Sequence, residues 1–173
     1  MNKFRFKYNL LIGLIFLSAF SLNAGNDEEI NWLSIDEAVK LQKEQPKKII
    51  IYIYTDWCTY CKVMKRGAFK NETSIKYLND NFYAVKFHAE QTQDIVFKDK
   101  IYSHRPTRRK GGFHDLADGL VNYELYGYPT LVVYDENLEM QRPFVNYLKQ
   151  KEFQNFIEYF NTDSHKTIKW EEY

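Results

Sequence analysis

The run Ile49-Ile50-Ile51-Tyr52-Ile53-Tyr54 shows no polar alternation, which suits a central strand covered on both faces. Isoleucine, branched at Cβ, favours the extended chain, and the run has strand length. Directly behind it stands Thr55-Asp56-Trp57-Cys58-Thr59-Tyr60-Cys61-Lys62, which holds the chain's only two cysteines. The pair therefore falls where a buried strand gives way to a helix. In that arrangement one thiol is expected to be exposed and activated while the other waits behind it. A dithiol/disulfide switch is the first expectation.

The 173 residues suit one compact domain with a real hydrophobic core. With 14 Tyr and 13 Phe, much of that core should be ring carbon. A formal charge of +1 argues against a nucleic-acid partner, which would call for clustered Lys and Arg.

Residues 1–24 read as a secretory signal peptide. Lys3, Arg5 and Lys7 form a basic start, Leu10 to Leu22 an apolar stretch, and Leu22-Asn23-Ala24 a cleavage end before Gly25. The stretch is shorter than the roughly 20 residues of a membrane span, so no stable span is expected after cleavage. Cleavage removes three of the 24 cations, leaving 21 against 23 acids, a mature charge of −2. The mature domain is then residues 25–173, periplasmic or otherwise exported. In an oxidising compartment two thiols tend to be paired. A loop this small gains little unfolded-state entropy from closure, so a structural staple is the weaker explanation.

Ser34-Ile35-Asp36-Glu37 is a capping box, and Ile35, Ala38, Val39 and Leu41 recur at helical spacing until Pro46. A helix is expected from about Cys58, carrying Val63, Met64 and Phe69 inward and ending after Gly67. Asn71 to Asn79 predicts a short helix burying Ile75 and Leu78. Phe82 to Phe87 predicts a strand parallel to the first. Thr130 to Tyr134 predicts another, followed by a turn at Asp135-Glu136-Asn137 and an antiparallel return over Glu139 to Asn146. Phe153, Phe156, Ile157 and Phe160 mark one stripe of a final helix. The tail from Thr162 carries Ile168 and Trp170 with no evident place.

The order β-α-β then β-β-α, with C-x-x-C at the first strand-to-helix junction and Tyr128-Pro129-Thr130 entering a later strand, resembles the thioredoxin fold. More closely, Trp57-Cys58-Thr59-Tyr60-Cys61-Lys62-Val63-Met64 with Phe69 and Leu78-Asn79-Asp80-Asn81-Phe82 is similar to exported bacterial thioredoxin-like proteins with a W-C-x-x-C-K-x-M signature. The resemblance covers about residues 30 to 161. It implies an α/β class: a central mixed sheet flanked by helices, with an insertion, about residues 91–120, before the cis-proline strand. Within that insertion Ile95 to Tyr102 predicts a hairpin around Lys98-Asp99, Arg105 to Gly112 a basic loop, and His114 to Leu125 a helix. The insertion is expected to pack beside the active-site face, with a solvated decoration as the alternative.

Cys58 at the helix start would have its thiolate favoured by unpaired amides and the positive end of the helix dipole. Cys61, one turn on, would resolve a mixed disulfide formed at Cys58. Trp57 would form an apolar platform beside Cys58, with Lys62 outward. The resemblance implies that Pro129 is the cis-proline facing the pair and that Tyr128 and Pro129 contact substrate as a short strand would. It implies protein thiols and disulfides as substrates, a membrane electron donor or acceptor as partner, and no cofactor. Two departures qualify it. Tyr52 stands six residues before Cys58, where thioredoxin has a buried acid, and a phenol moves protons poorly. Thr59-Tyr60 stands between the thiols, a pair that tunes redox potential. The expected activity is thiol-disulfide exchange, reducing or isomerising rather than oxidising.

Two other readings compete. C-x-x-C supplies half of a zinc site, but no second pair exists and His88, His104, His114 and His165 lack ligand spacing. The alternative from another class is a non-catalytic binding module in which Cys58 and Cys61 form a static disulfide.

Overall fold

The computed structural model describes residues 29–107 and 111–173. The signal peptide expected over residues 1–24, and Arg108, Arg109 and Lys110 of the basic loop, lie outside the described residues.

Strand β1 is Trp32–Leu33, too short for any sequence period, and α1 runs Ile35–Glu44 behind the expected capping box. The Glu37 amide donates to the Ser34 hydroxyl at 3.2 Å, and the Ser34 amide donates to the Glu37 carboxylate at 2.8 Å. Two first-turn amide needs are thereby met reciprocally. On this helix Gln42 is buried where Leu41 was expected, because its amide reaches the Glu136 carbonyl.

β2 spans Lys48–Tyr54 and is buried until its last residue. After it come α2 (Thr59–Arg66), a 3-10 turn at Ala68–Lys70, α3 (Glu72–Asn81) and β3 (Phe82–His88). α3 begins behind Asn71, whose side chain accepts from the Ser74 amide at 2.9 Å. β3 runs parallel to β2, with Tyr52 opposite Lys86. Four short strands follow: β4 (Ile95–Phe97), β5 (Lys100–Tyr102), β6 (His104–Arg105) and β7 (Phe113–His114), then α4 (Asp115–Gly119). β8 (Thr130–Tyr134) pairs antiparallel with β2, β9 (Met140–Val145) pairs antiparallel with β8, and α5 is Gln150–Asn161. The main sheet has the order β1-β3-β2-β8-β9.

Because strand side chains alternate, β2 feeds two cores. Ile50 and Tyr52 join Met64, Leu78, Phe153 and Phe156 under α2, α3 and α5. Ile49, Ile51 and Ile53 join Ile35, Ala38, Leu116 and Leu120 on the other face. Val63, expected inward, is 46% exposed; Met64 beside it on the helix takes the buried position.

The segment between β3 and β8 is tied to the sheet. The Ala89 amide donates to the Tyr54 carbonyl at 2.8 Å, and the His114 amide to the Ala89 carbonyl at 2.7 Å. His114, fully buried, accepts from the Leu116 amide at Nδ1, so its Nε2 carries the proton and donates to the Gln93 carbonyl at 2.8 Å. Lys98 and Asp99 both have positive φ, at 49° and 59°, the turn a two-residue hairpin demands. Gly112 has φ 93°, and a Cβ there would strike the Arg105 carbonyl. The helix expected over His114 to Leu125 stops at Gly119, and Asn122 and Tyr123 then turn with φ of 52° and 66°. The C-terminal tail does find a place: Trp170 packs edge-on against Phe144, Phe156 and Tyr159.

Candidate active site

The geometry around the cysteines follows from where β2 ends. Beyond Tyr54 the chain turns through Thr55-Asp56-Trp57, and Cys58 becomes the N-cap of α2 with extended φ and ψ of −68° and 109°. Its sulfur accepts from the Cys61 amide at 3.0 Å. An N–H aimed at sulfur from a helix start favours the thiolate over the thiol. Cys58 and Cys61 are joined as a disulfide, with Cα atoms 5.3 Å apart. The expected contrast in exposure is slight. Cys58 is 4% exposed and Cys61 1%, both in one buried cluster with Tyr52, Met64 and Phe69.

Tyr52 lies below the pair, fully buried, and its hydroxyl donates to the Cys61 carbonyl at 3.2 Å. Burial, and secondarily the neighbouring Tyr54, push its phenol far above the ordinary range. It remains a donor and offers no base to the resolving thiol. The ring stacks on Tyr54 at 5.4 Å, and Lys65 and Lys86 stand over the Tyr54 ring at 4.6 and 5.1 Å. Burial first, and then the Lys65 charge, lower the Lys86 ammonium, with Asp56 opposing.

Thr130 lies opposite Ile53, which brings the Tyr128–Pro129 peptide to the same end of the sheet as the turn into α2. That peptide is cis. The Tyr128 ring meets the Trp57 ring edge-on at 5.7 Å, so the two lie together beside Cys58. Burial, then the charges of Asp118 and Glu90, push the Tyr128 phenol up to about 12. Trp57 is 62% exposed, an open apolar plate, and Lys62 is exposed as expected.

Several neighbours were not singled out in the sequence. The Trp57 indole donates to the Glu90 carboxylate at 2.8 Å. His88 accepts from the Glu90 amide at 3.3 Å, and its other nitrogen lies 3.3 Å from the Asp56 carboxylate, off the angle for a hydrogen bond. Tyr60, 56% exposed, stacks almost parallel on Tyr147 at 4.9 Å. The Trp57–Glu90, Asp56–His88 and Tyr60–Tyr147 contacts join residues distant in sequence, and no local spacing announces them. Among the described residues no three His, Cys, Asp or Glu side chains gather to hold a metal.

A family model of the thioredoxin-like domain matches residues 35–161. The chain belongs to the thioredoxin-like family. This chain has a central mixed sheet flanked by helices, with a disulfide at the start of α2 and a cis-proline entering β8. A protein of Caenorhabditis elegans is 38% identical over 66 residues, 38% of this chain and 9% of that much longer protein. A protein of Archaeoglobus fulgidus is 30% identical over 87 residues, 50% of this chain and 68% of its own. Among solved structures, the DsbH oxidoreductase superposes with a TM-score of 0.52 at 19% identity, covering 75% of this chain and 83% of its own. That likeness is one of fold.

Proposed function

We propose that this thioredoxin-like chain is an exported thiol-disulfide oxidoreductase acting on protein disulfides, in the reducing or isomerising direction. The observation that carries this reading is the Cys58–Cys61 disulfide with the Cys58 sulfur facing the Cys61 amide at the start of α2. In the reduced protein Cys58 is the nucleophile. Its thiolate attacks one sulfur of a substrate disulfide, forming a mixed disulfide and releasing one substrate thiolate. Cys61 then loses its proton and attacks the Cys58 sulfur, releasing the second substrate thiolate and closing the Cys58–Cys61 bond. Two electrons pass to the substrate, and a membrane dithiol donor returns them.

Substrate lies, in this reading, on the plate of Trp57 and Tyr128 and along the backbone before Pro129, where an extended segment finds both apolar area and amide partners. Export rests on the basic and apolar start of the sequence. Among the described residues no helix is long and apolar enough to cross a membrane.

Trapping in cells tests the assignment. Cys61→Ser is expected to accumulate disulfide-linked substrate proteins and Cys58→Ser none; equal trapping by both, or by neither, overturns the roles. The reduction potential of the couple tests the direction: a value near about −270 mV marks a reductant and one near about −120 mV an oxidant.

A further inference from the structure

Apart from the cysteines, the sheet edge at β9 carries a groove of about 630 Å³, walled by β9, α5 and the C-terminal tail. That volume falls within the roughly 300–1,000 Å³ of small-molecule sites, which join an apolar lining to a few placed polar groups. The lining has that composition. Phe144, Phe156, Tyr159 and Trp170 supply rings on its walls and floor, and none of Trp57, Cys58, Cys61, Tyr128 or Pro129 takes part.

The charges on the wall are unbalanced. Arg142, Lys166 and Lys169 line it against a single acid, Glu171. Lys166 is matched to Asp163 at 3.2 Å. Among the described residues neither Arg142 nor Lys169 forms an ion pair, so two unpaired cations share the wall with Glu171. Burial raises the Tyr159 phenol; Arg142 opposes that rise, and Glu171 and Glu172 add to it. The Tyr159 hydroxyl is already committed to the Ile168 carbonyl at 2.5 Å, which pins the tail as the far wall. The groove thus joins an aromatic body to a cationic mouth.

We infer that this groove binds a small amphiphile with an apolar body and one anionic headgroup, the chemical class of a medium-chain carboxylate. The body lies on the rings of Phe144 and Trp170, and the carboxylate meets Arg142 and Lys169. Guanidinium recognises a carboxylate through paired N–H donors. An uncharged analogue keeps the apolar burial and forfeits the headgroup contacts. A peptide strand is the poorer occupant, because Pro143 removes a ladder donor from the edge that it would have to join.

The test titrates decanoate, and separately decanol, into the full chain below the concentration at which either aggregates, following backbone amide shifts by NMR. Saturable one-to-one binding is expected, with shifts centred on residues 141–145 and 165–171 and decanoate at least about tenfold tighter than decanol, a tenfold step being about 1.4 kcal/mol. The double variant Arg142→Gln/Lys169→Gln should bring the two ligands close to parity. Arg142 and Lys169 are exposed, so the variant keeps its core. Absence of saturable binding, equal affinity for the two ligands in the unaltered chain, shifts centred elsewhere, or a preference that survives the double variant would each overturn the inference.

Discussion

On one face of the sheet Tyr52, Phe69 and Phe153 meet edge to face below the disulfide, with centroids 4.8 and 5.2 Å apart. On the other face Ile49, Ile51 and Ile53 are aliphatic and need a lid, which α1 provides with Ile35 and Ala38 and the segment before β8 provides with Leu116, Leu120 and Phe97. The first face is closed by α2, α3 and α5. The second is closed in large part by the segment between β3 and β8. The segment expected to be an insertion is core as well as connection, since Leu116, Ala117 and Leu120 are all fully buried. From the same segment Asp118 bears on the Tyr128 phenol, and just before it Glu90 accepts from the Trp57 indole.

The sharpest way to break this comparison is to truncate one large side chain on each face. Phe153→Ala should cost about 3–5 kcal/mol and Leu120→Ala about 2–5 kcal/mol in urea unfolding of the oxidised protein. A Leu120→Ala cost below about 1 kcal/mol would reduce the insertion to a surface decoration. A smaller effect isolates the polar contact inside the aromatic face. Tyr52→Phe deletes only the hydroxyl that meets the Cys61 carbonyl and should cost about 0.5–1.5 kcal/mol, measured in the same way. A loss near zero would show that the ring alone does the packing.

The smallest effect concerns pH, and it lies where the aromatic face meets the tail. Asp163 is held below the ordinary carboxylate range first by its hydrogen bond from Lys48, at 2.8 Å, with Lys166 adding to the effect. A depressed folded value means that the contribution is fully present above the unfolded range, about pH 4, and is lost as pH falls through the folded value. Urea midpoints should therefore decline more steeply below about pH 4 in the unaltered chain than in Asp163→Asn. Parallel profiles would show that the buried Lys48 relies on Glu136, 3.7 Å away, and on the Asn161 carbonyl.

Local signals carried most of the frame. The capping box at Ser34, the unbroken apolar run of β2 and the Phe153 to Phe160 stripe each specify an element within a few residues. So does the Lys98-Asp99 turn. β1 escaped notice because two residues have no period, and Trp170 because its partners come from β9 and α5. Val63 misled because an apolar side chain on a short helix reads as buried unless the neighbouring turn is known. At the site, Cys58, Cys61 and Pro129 stand in recognisable surroundings, whereas Glu90 and Tyr147 reach it only through folding.

The two ends of the main sheet bear on how such a molecule survives its own work. β1 is two residues long, and β9 carries Pro143 and a register shift opposite Val132 to Tyr134. Neither border presents a long row of free amides and carbonyls on which another chain could build. A protein proposed to handle unfolded, sulfur-bearing clients meets sticky strands at every encounter. Blunt borders let it release them instead of becoming the seed of an aggregate.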